Sequence, residues 1–203
     1  FELFDLENIA GLEFLVEAEQ SGEIVLTPHL RPFQEEKLSL ALFHHHRLRD
    51  FWAENLPKRS RKVLQKIIPR SWIVDPAPTP PGAVLDGPTV GGHPIRDWRD
   101  LSGASQKERD LILKRSGFHE TAWGARSVSL GSDISREEWT AAIDHALTDA
   151  PDGFHILQEY RKPRRTPHFL FDQAGESVER QGRLRLCPYY FCLDGEARLS
   201  GAL

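Results

Sequence analysis

Two lysines occupy positions where a cation could meet phosphate groups. Lys37 lies at the start of a predicted helix, and Lys114 ends a predicted strand. The segment that follows Lys114, as far as Arg126, contains Gly117 and Gly124, and backbone N–H groups of such a loop can close over a polyphosphate. A lysine on an edge strand or at a helix start is more commonly a solvated surface residue. Two interpretations therefore stay open, a polyphosphate site or two ordinary surface cations.

A second candidate is the segment in which the apolar residues Ile156 and Leu157 precede Gln158, Glu159 and Tyr160. This pattern is typical of a buried strand that emerges beside a cleft. Backbone N–H and C=O groups at such an exit can pair with the edge of an adenine ring. A strand that simply reaches solvent is the more common alternative.

Helices and antiparallel strands must position these residues. Ser135 and Glu138 have the spacing of a capping box at the start of a helix, and apolar residues recur at helical spacing in three earlier segments. The predicted helices cover residues 6–19, 34–55 and 58–68 and a segment beginning at 135. The predicted strands cover residues 23–26, 71–74, 110–114, 127–130, 154–160 and 167–171, followed by a meander over 182–203. We expect the strands 111–114 and 127–130 to form an antiparallel hairpin.

The composition changes between Asp75 and Gln106, where six prolines and five glycines occur without periodicity. Such a segment is typical of a long loop, and we place a lobe boundary there. The predicted organisation is an N-terminal lobe of helices and strands at 1–74, the loop at 75–106, and a strand-rich lobe at 107–203. The predicted fold class is α+β, with antiparallel sheets flanked by helices in two small lobes.

The overall composition excludes several classes of protein. The 26 basic and 30 acidic residues give a formal charge of −4, so there is no electrostatic case for nucleic-acid binding. No apolar run is long enough to span a membrane. Cys187 and Cys192 lie at an odd separation, which predicts unpaired, core or near-core strand residues in a reducing cytoplasm. Because the chain opens with Phe1 and lacks methionine, we expect a fragment of a longer protein, with sequence missing from both ends.

Three consecutive histidines, His44 to His46, are candidate ligands of a metal ion. Consecutive helical residues diverge by about 100° each, so the three rings cannot face one ion. We therefore predict a solvated face there and assign no metal ligand in this chain.

The order of these features resembles the ATP-grasp superfamily, particularly its circularly permuted, glutathionylspermidine-synthase-like branch. The order is a lysine at a helix start, a strand-end lysine with a glycine loop, a helix, a strand ending in Gln-Glu-Tyr, and a basic meander. The resemblance covers about residues 23–203. It implies two α+β lobes that bind ATP between them and the ATP-dependent ligation of a carboxylate to an amine through an acyl phosphate.

Carried over by position, the resemblance assigns the nucleotide contacts. Lys37 and Lys114 match the two phosphate-side lysines of the family. The segment from Gly117 to Gly124 is similar to the mobile loop that covers the phosphates, and residues 123–126 lead into the return strand. Gln158, Glu159 and Tyr160 match the hinge that holds adenine.

The C-terminal part of the resemblance concerns catalysis. Arg183 and Arg185 lie where the family presents arginines to the acyl phosphate or the substrate carboxylate. The family's Mg²⁺ ligands follow the meander, so the resemblance places them beyond the end of this chain. The family's second acidic residue after the hinge, which holds ribose, is replaced here by the basic segment 161–165.

Three functions remain open from the sequence. The first is an ATP-dependent ligase acting on an unknown carboxylate and amine, of which this fragment would be inactive alone. The second is a degenerate, non-catalytic ATP-grasp module that serves as a binding or scaffold domain. The third is an interaction domain that uses the basic segment 161–165. The sequence does not define the oligomeric state.

Overall fold

A computed structural model of the chain describes residues 6, 8–26, 30–117, 119–122, 124, 126–149 and 153–202. It has an α+β fold, as predicted, with helices and antiparallel sheets. The helices are α1 Leu12–Gln20, α2 Leu38–His44, α3 Arg49–Asn55, α4 Lys58–Ile67 and α5 Arg136–Thr148. The strands are β1 Ser71–Val74, β2 Thr89–Val90, β3 His93–Pro94, β4 Leu111–Arg115, β5 Val128–Leu130, β6 His155–Glu159, β7 Arg165–Phe171, β8 Ser177–Arg183, β9 Pro188–Leu193 and β10 Glu196–Ala202. Within the described residues, no helix has the length and apolar character needed to cross a membrane.

Contacts divide the chain into two compact units. The first is built mainly from Pro32–Tyr160, and the second from Glu7–Arg31 together with Arg161–Leu203. The segment 75–106, which we predicted to separate two lobes, lies inside the first unit. The chain passes from one unit to the other after Arg31 and again after Tyr160.

The first unit contains a four-stranded antiparallel sheet in the order β1-β6-β4-β5. The predicted hairpin is confirmed, because β4 pairs with β5 in a register that sets Ile112 opposite Leu130 and Lys114 opposite Val128. On its other side β4 pairs with β6, which places Ile156 beside Lys114. Since directly opposed residues share a face and neighbours along a strand alternate, this register divides the sheet residues between two faces.

One face of the sheet carries the hydrophobic core. Leu113 of β4 and Leu157 of β6 pack with Trp139 and Ile143 of α5 in a single buried cluster. The capping box that starts α5 is confirmed: the Ser135 side chain accepts from the Glu138 N–H, and the Glu138 carboxylate accepts from the Ser135 N–H.

A glycine allows the close approach of α5 to the sheet. A Cβ at Gly131 would lie 2.7 Å from the Arg109 carbonyl oxygen and 3.1 Å from the Trp139 ring. Any larger residue at this position would therefore have to displace backbone.

The segment 75–106 is more structured than its composition suggests. It contains the short β2–β3 hairpin and a 3₁₀ helix, Trp98–Gly103, which begins with a capping box between Asp97 and Asp100. Ile95, Trp98 and Leu101 are buried in the core cluster. Spaced apolar residues, although few, are sufficient to anchor a Pro- and Gly-rich segment when a sheet face needs covering.

Three other predictions are wrong in their boundaries. The helix predicted over 34–55 is divided into α2, α3 and two 3₁₀ turns, Pro32–Glu35 and His46–Leu48. The break between α2 and the second 3₁₀ turn lies at His45, which adopts an extended conformation with φ −67° and ψ 126°. The first helix starts at Leu12, after Gly11 in the left-handed region, and not at residue 6. Residues 23–26 form no strand.

The second unit contains two separate hairpins, β7–β8 and β9–β10. The continuous meander predicted over 182–203 is therefore wrong, since Gly182 and Arg183 belong to β8, which pairs with β7. Cys192 in β9 is exposed and Cys187 is partly buried, and both are free thiols. The expected near-core position of Cys192 is wrong, because every residue of β9 is exposed in this unit.

Candidate functional site

Lys114 lies on the face of the sheet opposite the hydrophobic core. Its Nζ donates a hydrogen bond of 2.7 Å to Oε1 of Gln158 on the neighbouring strand β6. The Gln158 side-chain amide in turn donates to Oγ of Ser71 on β1 at 2.8 Å, and the Ser71 hydroxyl donates to the Pro69 carbonyl. The three strands thus contribute one side chain each to a connected polar row, in which Gln158 and Ser71 are buried.

Lys37 lies directly before the first residue of α2, which packs against β1 and β6. Its Nζ donates to the backbone carbonyl of Ala122, in the loop that follows β4. The Leu38 N–H donates to the Ser116 hydroxyl at 2.8 Å, and that hydroxyl donates to the Glu36 carboxylate. The start of α2 is therefore connected to the glycine-containing loop on both sides of Lys37.

The positive charge of Lys37 acts on Lys114. Burial lowers the pKa of Lys114, and the positive charge of Lys37 lowers it further. Burial also lowers the pKa of Lys37, and the Glu36 carboxylate partly opposes that effect. A bound anion beside Lys114 would relieve both its desolvation and the repulsion from Lys37.

The loop predicted to cover phosphates begins with buried residues. The Ser116 N–H donates to the Phe154 carbonyl at 2.8 Å, and Ala122 is buried. Gly117 and Gly124 have φ values of 108° and 61°, which side-chain-bearing residues rarely adopt. Trp123 and Ala125, in the segment predicted to lead into the return strand, lie outside the described residues.

The predicted adenine hinge consists of the last two residues of β6, Gln158 and Glu159, and the next residue, Tyr160. The Glu159 N–H donates to the Arg70 carbonyl at 2.8 Å, and the Tyr160 N–H donates to the Asp110 carbonyl at 2.9 Å. Both backbone N–H groups that could donate to an adenine ring at these positions thus already donate to carbonyl groups of the chain. The Gln158 side chain is likewise engaged by Lys114 and Ser71.

The structure therefore brings Lys37, Lys114 and Gln158 into one region of the first unit. Arg183 and Arg185 belong to the second unit, where both are exposed and the Arg183 Nε donates to the Pro163 carbonyl at 3.4 Å. Among the described residues, no group of three or more histidine, cysteine, aspartate or glutamate side chains could hold a metal ion.

Sequence reasoning missed two serines of the site. Ser71 and Ser116 are both almost fully buried, and each accepts a hydrogen bond from a residue more than 70 positions away in the chain. A serine at the start of an apolar strand, such as Ser71 before Trp-Ile-Val, is only a weak signal that its hydroxyl group is buried and accepts a hydrogen bond from a distant residue.

Comparisons of the chain with protein-family models, curated proteins and solved structures gave no match.

Proposed function

We propose that the first unit binds ATP through Lys37 and Lys114 and is part of an ATP-grasp-like carboxylate–amine ligase. The observation that supports the proposal is the pair of half-buried lysines beside a loop with two left-handed glycines, in which burial and the charge of Lys37 lower the pKa of Lys114. Such ammonium groups are suited to the phosphate oxygens of a nucleotide. Bound Mg²⁺ would neutralise charge between the β- and γ-phosphates.

A second candidate function, a degenerate module that binds nucleotide weakly or acts as a scaffold, is favoured by the hinge. The N–H groups of Glu159 and Tyr160 already donate to backbone carbonyls. An adenine ring would then gain fewer hydrogen bonds than in an open hinge, so the affinity would depend mainly on the phosphates.

The two lysines supply a direct test. Their side-chain NMR signals can be followed through a pH titration with and without ATP, without Mg²⁺. We expect ATP to raise the pKa of both Lys37 and Lys114, because a nearby anion stabilises the ammonium form. Lys107, which is exposed, is the internal control and should titrate unchanged. An unchanged titration of Lys37 and Lys114 at saturating ATP, or no saturable binding, would exclude this site.

Activity assays separate the two candidate functions. We expect residues 1–203 to show ATP affinity that depends little on Mg²⁺, and ATP hydrolysis at background with any carboxylate added, because the described residues contain no group of three or more acidic, histidine or cysteine side chains that could hold a metal ion. The same assay on a longer chain distinguishes the candidates: Mg²⁺-dependent ADP release that needs a carboxylate supports the ligase, and ATP binding without ADP release supports the module.

A further inference from the structure

A second cationic region of the first unit surrounds a cavity of about 390 Å³. The cavity is lined by residues of α2, α3 and α4 and by the segments beside β1, and it includes three arginines, Arg49, Arg61 and Arg70. Its α2 residues, Phe43 and His44, lie at the C-terminal end of that helix. Lys37 lies at the other end, about 10 Å away along the helix axis at 1.5 Å per residue.

The cavity has more positive than negative side chains. Asp86 is the only carboxylate that the described residues contribute to its lining, and it lies 3.0 Å from Arg70 and 3.4 Å from the His46 ring. Within the described part of the chain, Arg49 and Arg61 form no ion pair. Two guanidinium groups therefore face the cavity without a counter-charge from its walls.

Arg61 is the most informative of these residues. Its Nε is shielded from solvent and has no hydrogen-bond partner among the described residues. A ligand oxygen cannot reach a shielded atom, so an anion in the cavity would contact the terminal nitrogens of the Arg61 guanidinium group. Gln65, one helical turn further along α4, lines the same cavity, whereas Arg59 is exposed and does not line it.

Aromatic rings pack in and beside the lining of the cavity. The rings of Phe43 and Trp52 lie 5.7 Å apart, and the Trp52 Nε1 donates to the Leu42 carbonyl at 3.0 Å. The Arg70 guanidinium is held over the Trp72 ring at 5.4 Å. Low-dielectric walls of this kind strengthen the field of the cations inside a concave site.

We propose that this cavity binds a compact oxyanion with two or more negative charges, such as the diphosphate part of a small molecule. Guanidinium groups bind phosphate oxygens in bidentate pairs, and Arg49 and Arg61 have no carboxylate partner among the described residues. The inference is independent of the proposed ATP site, because it shares no residue with the Lys37–Lys114 pair.

Inorganic pyrophosphate is a suitable probe, titrated at constant ionic strength into a Lys114→Gln variant so that the other candidate site contributes little. The Arg61 Nε–Hε NMR signal reports occupancy directly. We expect saturable binding with a shift of this signal and about tenfold weaker affinity in Arg61→Gln, the effect of one charge-assisted hydrogen bond. Arg59→Gln, with the same charge change on the same helix, should stay within about twofold.

Three outcomes would overturn the proposal: no saturable binding, no shift of the Arg61 signal at saturation, or equal weakening by Arg59→Gln and Arg61→Gln. The last would show that only the general charge of α4 attracts the anion. If Arg61→Gln does not fold, as judged by circular dichroism, Arg61→Lys replaces it. That variant keeps the charge and loses the planar fork, and we expect it to bind more weakly than wild type, whereas unchanged affinity would contradict the proposed contact.

Discussion

The two faces of the four-stranded sheet use the same strands for different purposes. One face packs Leu113 and Leu157 against α5 and the 3₁₀ helix Trp98–Gly103, in an apolar cluster. The other face carries Ser71, Gln158 and Lys114 in a connected polar row beside α2. Because the side chains alternate along each strand, one residue separates a core position from a site position. A single strand such as β4 therefore serves both stability and the candidate function.

This difference predicts that substitutions on the apolar face affect folding, and substitutions on the polar face affect ligand binding. Both expectations can be measured on the same protein, with unfolding by urea for the first and calorimetric titration for the second.

Removal of the Trp139 ring should give the largest loss. The side chain is completely buried, and its Nε1 donates to the Leu101 carbonyl at 3.2 Å. We expect Trp139→Ala to lower the free energy of unfolding by about 3–5 kcal/mol, because a large cavity forms in the core. Val63→Ala, at a half-exposed position of α4, is the control and should change it by less than about 0.5 kcal/mol. Similar losses in the two variants would mean that α5 does not cover the core.

Replacement of Lys114 should weaken ATP binding. We expect Lys114→Ala to cost about 1.5–3 kcal/mol of binding free energy, the range for a lost charge-assisted hydrogen bond. Lys107→Ala removes an exposed lysine of the same unit and should leave the ATP affinity unchanged. If both variants bind ATP as wild type does, Lys114 is not part of a nucleotide site. Lys37→Ala is the companion variant, with the same expected direction.

His155 is a polar residue at the end of the apolar face, and it should make stability depend on pH. Burial lowers its pKa to about 4, and although Asp149 opposes this, Arg115 and His145 lower the pKa further. The unfolded chain binds a proton near pH 6.5 and the folded chain only near pH 4, so stability is lost as the pH falls through that interval. We expect a loss of about 2 kcal/mol, allowing for solvent screening.

The measurement is urea unfolding at pH 7 and pH 4. In His155→Gln the pH dependence should be smaller by that amount, because the titrating group is gone. His93→Gln, at an exposed position, should keep the wild-type dependence. If the difference in stability between pH 7 and pH 4 is the same in His155→Gln as in wild type, other groups cause the acid sensitivity.

The α5 cap should give the smallest effect. Ser135→Ala removes the side-chain acceptor of the Glu138 N–H, and we expect the free energy of unfolding to fall by about 1 kcal/mol. Ser135→Asp should restore it, since aspartate is an equally good cap. Should both variants be equally stable, the capping box would not contribute to holding α5 on the apolar face.

Local patterns in the sequence were sufficient for the elements with strong periodicity or caps. The apolar run Leu-Ile-Leu before Lys114 predicted β4 and its hairpin with β5, and the Ser135–Glu138 spacing predicted the start of α5. Such signals are local, because apolar runs and capping depend on residues within a few positions of each other. The break at His45, in contrast, has no glycine or proline to mark it, and the prediction of one helix over 34–55 failed there.

What the sequence by itself determined was thus the α+β class, the strand that carries Lys114 and the order of the candidate residues along the chain. Only the tertiary structure decided which of them meet. Gln158 reaches Ser71 across 87 positions, and Lys37 reaches Ala122 across 85. The same holds for the engaged N–H groups of Glu159 and Tyr160 and for the burial of Trp98 in a segment rich in proline and glycine. Such contacts depend on the strand order β1-β6-β4-β5, and strand order is set by packing over the whole unit, for which no short pattern in the sequence exists.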